Sequence, residues 1–442
     1  LTRIVIVGFQ SAGLTAAAAA RLYNREAEIT VVERRTYATY HPCGLPFVLG
    51  GEVPNIRDLV ETTPRLPGVN VRLGAEAKAI DTQEKMLEVQ DLRTLQVEKI
   101  PYDRLILATG SQALKPPIPG IDLGNVFCLR TVEDGERILA ALSRSRRAVV
   151  VGAGPIGVEA ASALRERGLE VVLVEMQPAV LPGMLDPDMA AGVAERLAKA
   201  GIRVLCSKAV KELRGEGKVS SVVLEGEEIP ADLVIMAIGV KPDVELAVKA
   251  GLKLGPTRMI AVDDHLRTSD PDIFAIGDCA EARCLITGRP LRSQLATTAI
   301  RMGRVAGVNA AGGDEVFEGV LNAVVTMASG LEVASVGLTA TAASEAGFET
   351  STARVRCLTK PHYFPGAGPM TIKLVAERKG QRILGGQVIG DGAAGRANLL
   401  ALAIRKGMTA KELSQIDYCY APPVSDSIEP LVVAAEALLR RR

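Results

Sequence analysis

Residues 148–168 read AVVVGAGPIGVEAASALRERG, and residues 170–176 continue as EVVLVEM. An apolar run, a glycine-bearing turn, an alanine-rich stretch and a second apolar run ending in an acid predict a βαβ unit. The runs are apolar throughout rather than alternating, the pattern of parallel strands buried on both faces. Gly152, Gly154 and Gly157 hold the GxGxxG spacing. The first makes the tight turn, the second lets backbone approach a pyrophosphate, and the third lets helix pack on strand. Such a helix offers an anion its free N–H groups and the positive end of its dipole. Glu175 follows Gly157 by 18 residues, close to the spacing of about 20 at which a carboxylate binds an adenosine ribose. Strand, turn, helix and acid together predict a nucleotide site.

The same arrangement opens the chain: RIVIVGFQSAGLTAAAAARL at 3–22, then EITVVERR at 28–35. Here Gly8 and Gly13 are in place, but Gln10 stands where the middle glycine belongs. Glu33 lies 20 residues past Gly13, at the ribose spacing. VNVRLGAEAKAI, KMLEVQ and EKIPYDRLILATG read as strands leading to a Thr109–Gly110 turn, and KPPIPGI as a domain connection. IRVLCSKAVKEL, VSSVVLEG and ADLVIMAIG form a matching series that ends at Gly239, and TSDPDIFAIGDCAE delivers Asp278 to a loop. From about Phe317 strands and helices mix without a phosphate loop. The expected fold is α/β: two Rossmann-like dinucleotide-binding domains, one discontinuous over 1–112 and 242–316 and one over 113–241, plus an α+β C-terminal dimerisation domain at 317–442.

The chain has 442 residues, 48% hydrophobic and 23% charged, with a net charge of +1. These values suit a globular protein of two or three domains. The longest basic run is the terminal Arg440-Arg441-Arg442, read as a solvated tail, so nucleic acid is not an expected partner. No apolar run approaches the roughly 18–20 residues of a membrane span, and RIVIVG enters a strand without a signal-peptide layout. Seven scattered cysteines argue against a disulfide framework and for a reducing compartment, the cytoplasm by default. Cys279 and Cys284 lack a second metal-like pair, so no metal is expected.

Cys43 stands in YHPCGLPFVLGG at 40–51, ten residues past Glu33. Positions 44–48 read Gly, Leu, Pro, Phe and Val, so no neighbouring thiol can close a disulfide with it. A free cysteine is most often a small buried hydrophobe. Cys43 differs because Pro42 and the apolar run after it predict a helix start, where the dipole favours a thiolate. His41 adjoins it, more simply a solvated loop residue than a base.

The ATG turn at 108–110, the GDCA loop at 277–280 and the doubled fingerprint resemble the flavoprotein reductases with two dinucleotide-binding domains, of the glutathione-reductase-like fold. The CGLP segment resembles their single-cysteine branch, which holds coenzyme A disulfide reductases, persulfide or polysulfide reductases, and NADH oxidases and peroxidases. That likeness spans Ile4 to Pro430. It implies FAD at Gly8, Ser11, Ala12, Gly13, Glu33, Arg34, Ala77, Thr109, Gly110, Asp278 and Ala296. It implies NADH, with NADPH as an alternative, at Gly152, Gly154, Ile156, Gly157, Glu159, Glu175 and Gly239. Thr15, Arg21, Thr39 and Pro42 would face substrate. KPHYFPGAGPM and IDYCYAPPVSD resemble the segments by which coenzyme A disulfide reductases lend tyrosines to the partner subunit, which assigns catalytic roles to Tyr363 and Tyr420 in a homodimer. Cys419, between two tyrosines, receives no role.

The implied activity moves electrons from NADH through flavin and Cys43 to a small disulfide, persulfide or polysulfide, with coenzyme A a candidate ligand. Two departures matter. Oxidases and peroxidases of this branch carry a histidine in the first phosphate loop, where this chain has Ser11, which weakens an oxidase reading. Coenzyme A disulfide reductases use an arginine pair after the first helix, where this chain keeps Arg21 but has Leu22. No rhodanese-like domain is expected. A flavoprotein redox sensor that turns over slowly is the alternative from another class.

Overall fold

The parallel strands form because β-branched runs such as RIVIV and RAVVV bury both faces, and glycine turns then feed the chain into helices. The computed structural model describes residues 1–63 and 66–441. Arg440 and Arg441 of the basic tail are exposed, and Arg442 lies outside the described residues.

The chain divides into two compact units. The first comprises Leu1–Cys43, Asn55–Ala113 and Val240–Val320. Its parallel sheet has five strands in the order Ile273–Ala275, Arg104–Leu107, Arg3–Val7, Glu28–Glu33 and Val69–Leu73. The helix Ser11–Tyr23 packs against Ala296–Ala310 so closely that a Cβ on Gly303 would overlap the Ala12 carbonyl and one on Gly307 that of Ala16. An antiparallel meander, Ala75–Asp81, Met86–Asp91 and Val97–Pro101, completes the unit.

The second unit comprises Gly44–Pro54, Leu114–Gly239 and Leu321–Arg442. It repeats the plan: a parallel sheet in the order Val126–Cys128, Leu233–Met236, Arg147–Val151, Glu170–Val174 and Ile202–Leu205, then a meander over Val210–Pro230. Its other part is a five-stranded antiparallel sheet, Val324–Ala328, Leu331–Gly337, Ile383–Ile389, Pro369–Glu377 and Thr350–Leu358, with the helices Ala393–Arg405 and Pro430–Leu439 packed on it.

Buried charge ties these two parts of the second unit together. Lys373, 7% exposed, places its Nζ 3.0 Å from Asp186 and 2.7 Å from Asp188, ahead of and within the first turn of Pro187–Lys199. Gln387 donates to Asp186 Oδ2 at 2.7 Å and accepts the Asp186 N–H at 2.8 Å. Burial by itself would push the Asp186 carboxyl up, but the bonds from Gln387, the Ala340 N–H and Lys373 hold it below the usual range.

The sequence boundaries need three adjustments. Residues 44–54 leave the first unit for the second, which the sequence did not reveal. The later crossing falls after Val320 rather than at Phe317, because Phe317 is 5% exposed in the first unit's core with the Arg301 guanidinium 5.1 Å from its ring. The nucleotide segment and the C-terminal segment cluster as one unit.

Candidate active site

Two phosphate loops share one hydrogen-bond plan. Gly8 and Gly152 both adopt φ +99°, which only glycine takes without strain. Gly8 N–H donates to Val32 O at 2.8 Å, and Gly152 N–H donates to Val174 O at 2.7 Å. A Cβ on Gly13 would overlap the Gly8 carbonyl, and one on Gly157 would overlap that of Gly152. The ribose acids sit alike: Phe9 N–H donates to Glu33 Oε2 at 2.8 Å, and Ala153 N–H donates to Glu175 Oε2 at 2.7 Å. Each loop therefore presses its helix start against the C-terminal edge of a parallel sheet, the place where open α/β folds bind ligands.

The first unit gathers its candidate cofactor residues at that edge. Ser11, Ala12 and Gly13 open a helix whose N-cap, Gln10, makes no side-chain cap. Gly277 packs against Ala12, where an added Cβ would lie 3.1 Å from the Ala12 methyl. Asp278 follows in a short 3₁₀ turn and accepts from Ser111 Oγ at 2.7 Å. Thr109 Oγ1 donates to Asp243 O at 2.6 Å, and Gly110 takes φ +74° with open space at its Cβ position. Ala296 starts a second helix with no side-chain cap, and just before it the buried Gln294 Nε2 has no hydrogen-bond partner. Uncapped N–H groups at two helix starts and an orphaned amide donor suit an anionic, acceptor-rich group such as FAD.

Gln10, in the place of a middle glycine, turns its side chain away from the loop. With its amide oxygen facing donors, it accepts from Arg35 at 2.8 Å, and its nitrogen donates to Tyr40 O at 3.1 Å. Arg35 also forks both oxygens of Glu33 at 2.9 Å and lies 5.1 Å from the Tyr40 ring centre. Burial opposes its charge, but the Glu33 bonds prevail and raise its pKa further. Together with Phe9 N–H and Arg35 N–H, four donors point at Glu33, so a ribose hydroxyl must share that carboxylate with the guanidinium. Sequence reasoning named Arg34, which is exposed and 3.8 Å from Glu76, and missed Arg35. Ala77 lies at a register shift in the meander.

In the second unit Gly154 has open space at its Cβ position, and its φ of −70° suits any residue. Neither strain nor packing within the chain requires a glycine there, which leaves close approach of a ligand. Gly239, at φ +101°, is also open, and Ile156 is 38% exposed. Glu159 accepts from Thr326 Oγ1 at 2.7 Å, and burial pushes its carboxyl up despite that bond. Among the described residues Glu175 accepts only Ala153 N–H and Gln177 N–H, so two acceptor positions remain for a ribose diol. The Lys208 N–H donates to Glu175 O at 3.0 Å, while its Nζ donates to Glu225 O at 3.3 Å. Met176 and Gln177, the two residues after Glu175, carry no cation to hold a ribose phosphate. NADH is expected to be preferred in kcat/KM by about tenfold or more, on the order of 1.4 kcal/mol. Glu175→Ser should narrow that preference in steady-state assays with both donors, and an unchanged ratio would show that Glu175 does not face the ribose.

Cys43 is exposed, in a 3₁₀ turn, Pro42–Gly44. The expected helix does not start at the thiol but two residues later, as the six-residue Leu45–Gly50. Thr39 is buried in the short strand before it. His41 is exposed and 3.8 Å from Glu61. Thr15 donates back to Ser11 O at 2.7 Å within its own helix. Arg21 does not stand free for a phosphate: it donates to Arg25 O at 2.6 Å and to Gly68 O, and it closes the far end of the first helix. Tyr363 and Tyr420 are 63% and 50% exposed in the protomer, and the neighbouring Tyr363 first of all raises the Tyr420 pKa. Among the described residues no helix is long and apolar enough to cross a membrane.

The family model described as pyridine nucleotide-disulphide oxidoreductase matches residues 2–303, and its dimerisation domain matches 324–432. The chain belongs to that family, and it is an FAD- and NAD(P)H-dependent oxidoreductase. It is 40% identical to an NADH oxidase of Methanocaldococcus jannaschii, over 99% of each chain. It is 32% identical to a CoA-dependent NAD(P)H sulfur oxidoreductase of Pyrococcus furiosus, again over 99% of each. The solved structure of an NAD-dependent persulfide reductase from A. fulgidus superposes with a TM-score of 0.96 at 36% identity, covering 100% of this chain and 84% of that one.

Proposed function

We propose that this chain, as a homodimer, uses NADH to reduce the sulfur–sulfur bond of a small persulfide, polysulfide or disulfide, coenzyme A species among them. The carrying observation is an exposed Cys43 that forms no disulfide with any described cysteine, while those at 128, 279 and 284 are buried. A thiolate that closes no disulfide within the chain can take its sulfur partner from the substrate. The first phosphate loop, Ser11 to Gly13, and the Asp278 loop would hold FAD, which would supply two-electron transfer from the nicotinamide. Cys43 attacks the sulfane sulfur of a persulfide, becomes Cys43–S–SH and releases the thiolate. Two electrons and one proton then return Cys43 to its thiolate and release hydrogen sulfide. With a disulfide RSSR the intermediate is Cys43–S–S–R, and the same two electrons and proton release RSH. The exposed Tyr363 and Tyr420 support this reading, because phenols are protonated at neutral pH and can donate to a departing thiolate.

The relative named NADH oxidase favours a second reading, with oxygen as acceptor. Ser11 in the first loop cannot supply an imidazole, which weighs against it. The two readings separate in side-by-side NADH consumption with coenzyme A persulfide, coenzyme A disulfide, polysulfide, oxygen and peroxide. Persulfide or polysulfide is expected to be turned over at least as efficiently as the disulfide, since Leu22 removes one charge-assisted phosphate contact worth roughly 1.5–3 kcal/mol. Oxygen or peroxide as the best acceptor would overturn the proposal.

A further inference from the structure

The segment that follows Cys43 is built into the second unit by an arginine. Helix Leu45–Gly50 buries Leu45, Pro46, Val48 and Leu49 and lies against helix Pro155–Glu166, the one that opens at the second phosphate loop. A helix leaves its last carbonyls without intrahelical partners. The Gly51 N–H donates to Phe47 O at 3.0 Å and to Val48 O at 3.2 Å, and Arg167 adds Nε to Leu49 O at 2.7 Å and Nη2 to Val48 O at 3.4 Å. The Gly50-Gly51 pair makes room for this clasp. A Cβ on Gly50 would lie 3.5 Å from the Ala163 methyl and 3.2 Å from Glu166 Oε2. Gly51 takes φ +94°, and a Cβ there would come within 2.9 Å of Arg167 Nη2.

We infer that Arg167 is a positioning residue for the Cys43 thiol, holding Leu45–Gly50 so that the turn Pro42–Gly44 keeps the sulfur in line for attack. The inference rests on the proposed role of Cys43 as nucleophile. It follows from the short path: Leu45 is two residues from the thiol, and a six-residue helix cannot hold itself in place without tertiary contacts. Small losses of alignment at a reacting atom are costly in rate.

The test uses the FAD-loaded full chain with Arg167→Ala and, approaching the same clasp from the other side, Gly51→Ala. Alkylation of Cys43 by iodoacetamide, followed by mass spectrometry of its peptide across pH, reads the thiol without any acceptor. Both variants should keep their flavin and its rate of bleaching by NADH. In both, sulfur turnover should fall about fivefold or more in kcat, with KM for NADH unchanged. The pH midpoint of alkylation should also move by about 0.5 unit or more from that of the parent. Alkylation profiles within about 0.2 unit of the parent in both variants would overturn the inference, since a merely structural clasp would change stability and leave the thiol alone. A parent enzyme that reduces no sulfur acceptor would sink the functional proposal, while the alkylation profiles would still decide the role of Arg167.

Discussion

Cys43→Ser is expected to retain FAD, to be bleached by NADH at the parent rate, and to lose persulfide and disulfide turnover by at least about a hundredfold. Serine cannot form the sulfur–sulfur bond that carries the electrons out, whereas hydride transfer to the flavin does not involve the thiol. No buried thiol can stand in: Cys279 is fully enclosed, and burial pushes its thiol up, as it does those of Cys128, Cys206 and Cys357. Only Cys419 is also exposed, between Tyr418 and Tyr420. Stopped-flow spectra and acceptor assays on the same preparation check both halves. Substantial remaining sulfur reduction would contradict the single-thiol mechanism.

The second large effect belongs to Gly154→Val. No described residue lies within 4 Å of the added Cβ, and φ is ordinary, so the fold should tolerate the change at about 1 kcal/mol, the cost of a poorer N-cap. The nicotinamide dinucleotide should not. Its pyrophosphate needs the space that glycine leaves open, and KM for NADH should rise by tenfold or more, on the order of 1.4 kcal/mol. Flavin content and the thermal midpoint should remain near those of the parent. A large fall in the midpoint with KM unchanged would show that Gly154 serves the fold and not the ligand.

Local signals made the two sheets legible. Within each unit the apolar runs, the glycine spacing and the acid, Glu33 or Glu175, lie within about 35 residues of each other, and each reports one turn or one strand end. Partners supplied from afar were not legible. Thr326 reaches Glu159 across 167 positions, and the Lys208 N–H meets Glu175 O beyond the paired strand ends. Arg35 was within reach, since the pair ERR offered two arginines and the fork geometry chose the second. The helix start at Pro42 was misplaced because Gly44 and Pro46 break the first turn, which becomes 3₁₀ before Leu45. Arg167 carried no sequence signal at all, because helix ends often carry arginine, and only its niche of two glycines shows what it holds.

The buried charge cluster around Lys373 bears on how freely this architecture can be recombined. The second phosphate loop reads like a portable cassette, a unit that could be cut out and grafted behind another domain. Its supports say otherwise. Asp186 depends on Lys373 and Gln387, Glu159 on Thr326, and Ser162 is bonded by Ser329, all from beyond residue 321. Stranding Asp186 in place by removing Lys373 would cost about 3–5 kcal/mol, a large part of the stability of an ordinary domain. The nucleotide-binding segment and the C-terminal sheet are therefore inherited as a single piece, and a chimera that joins one to a foreign partner must bring the other with it.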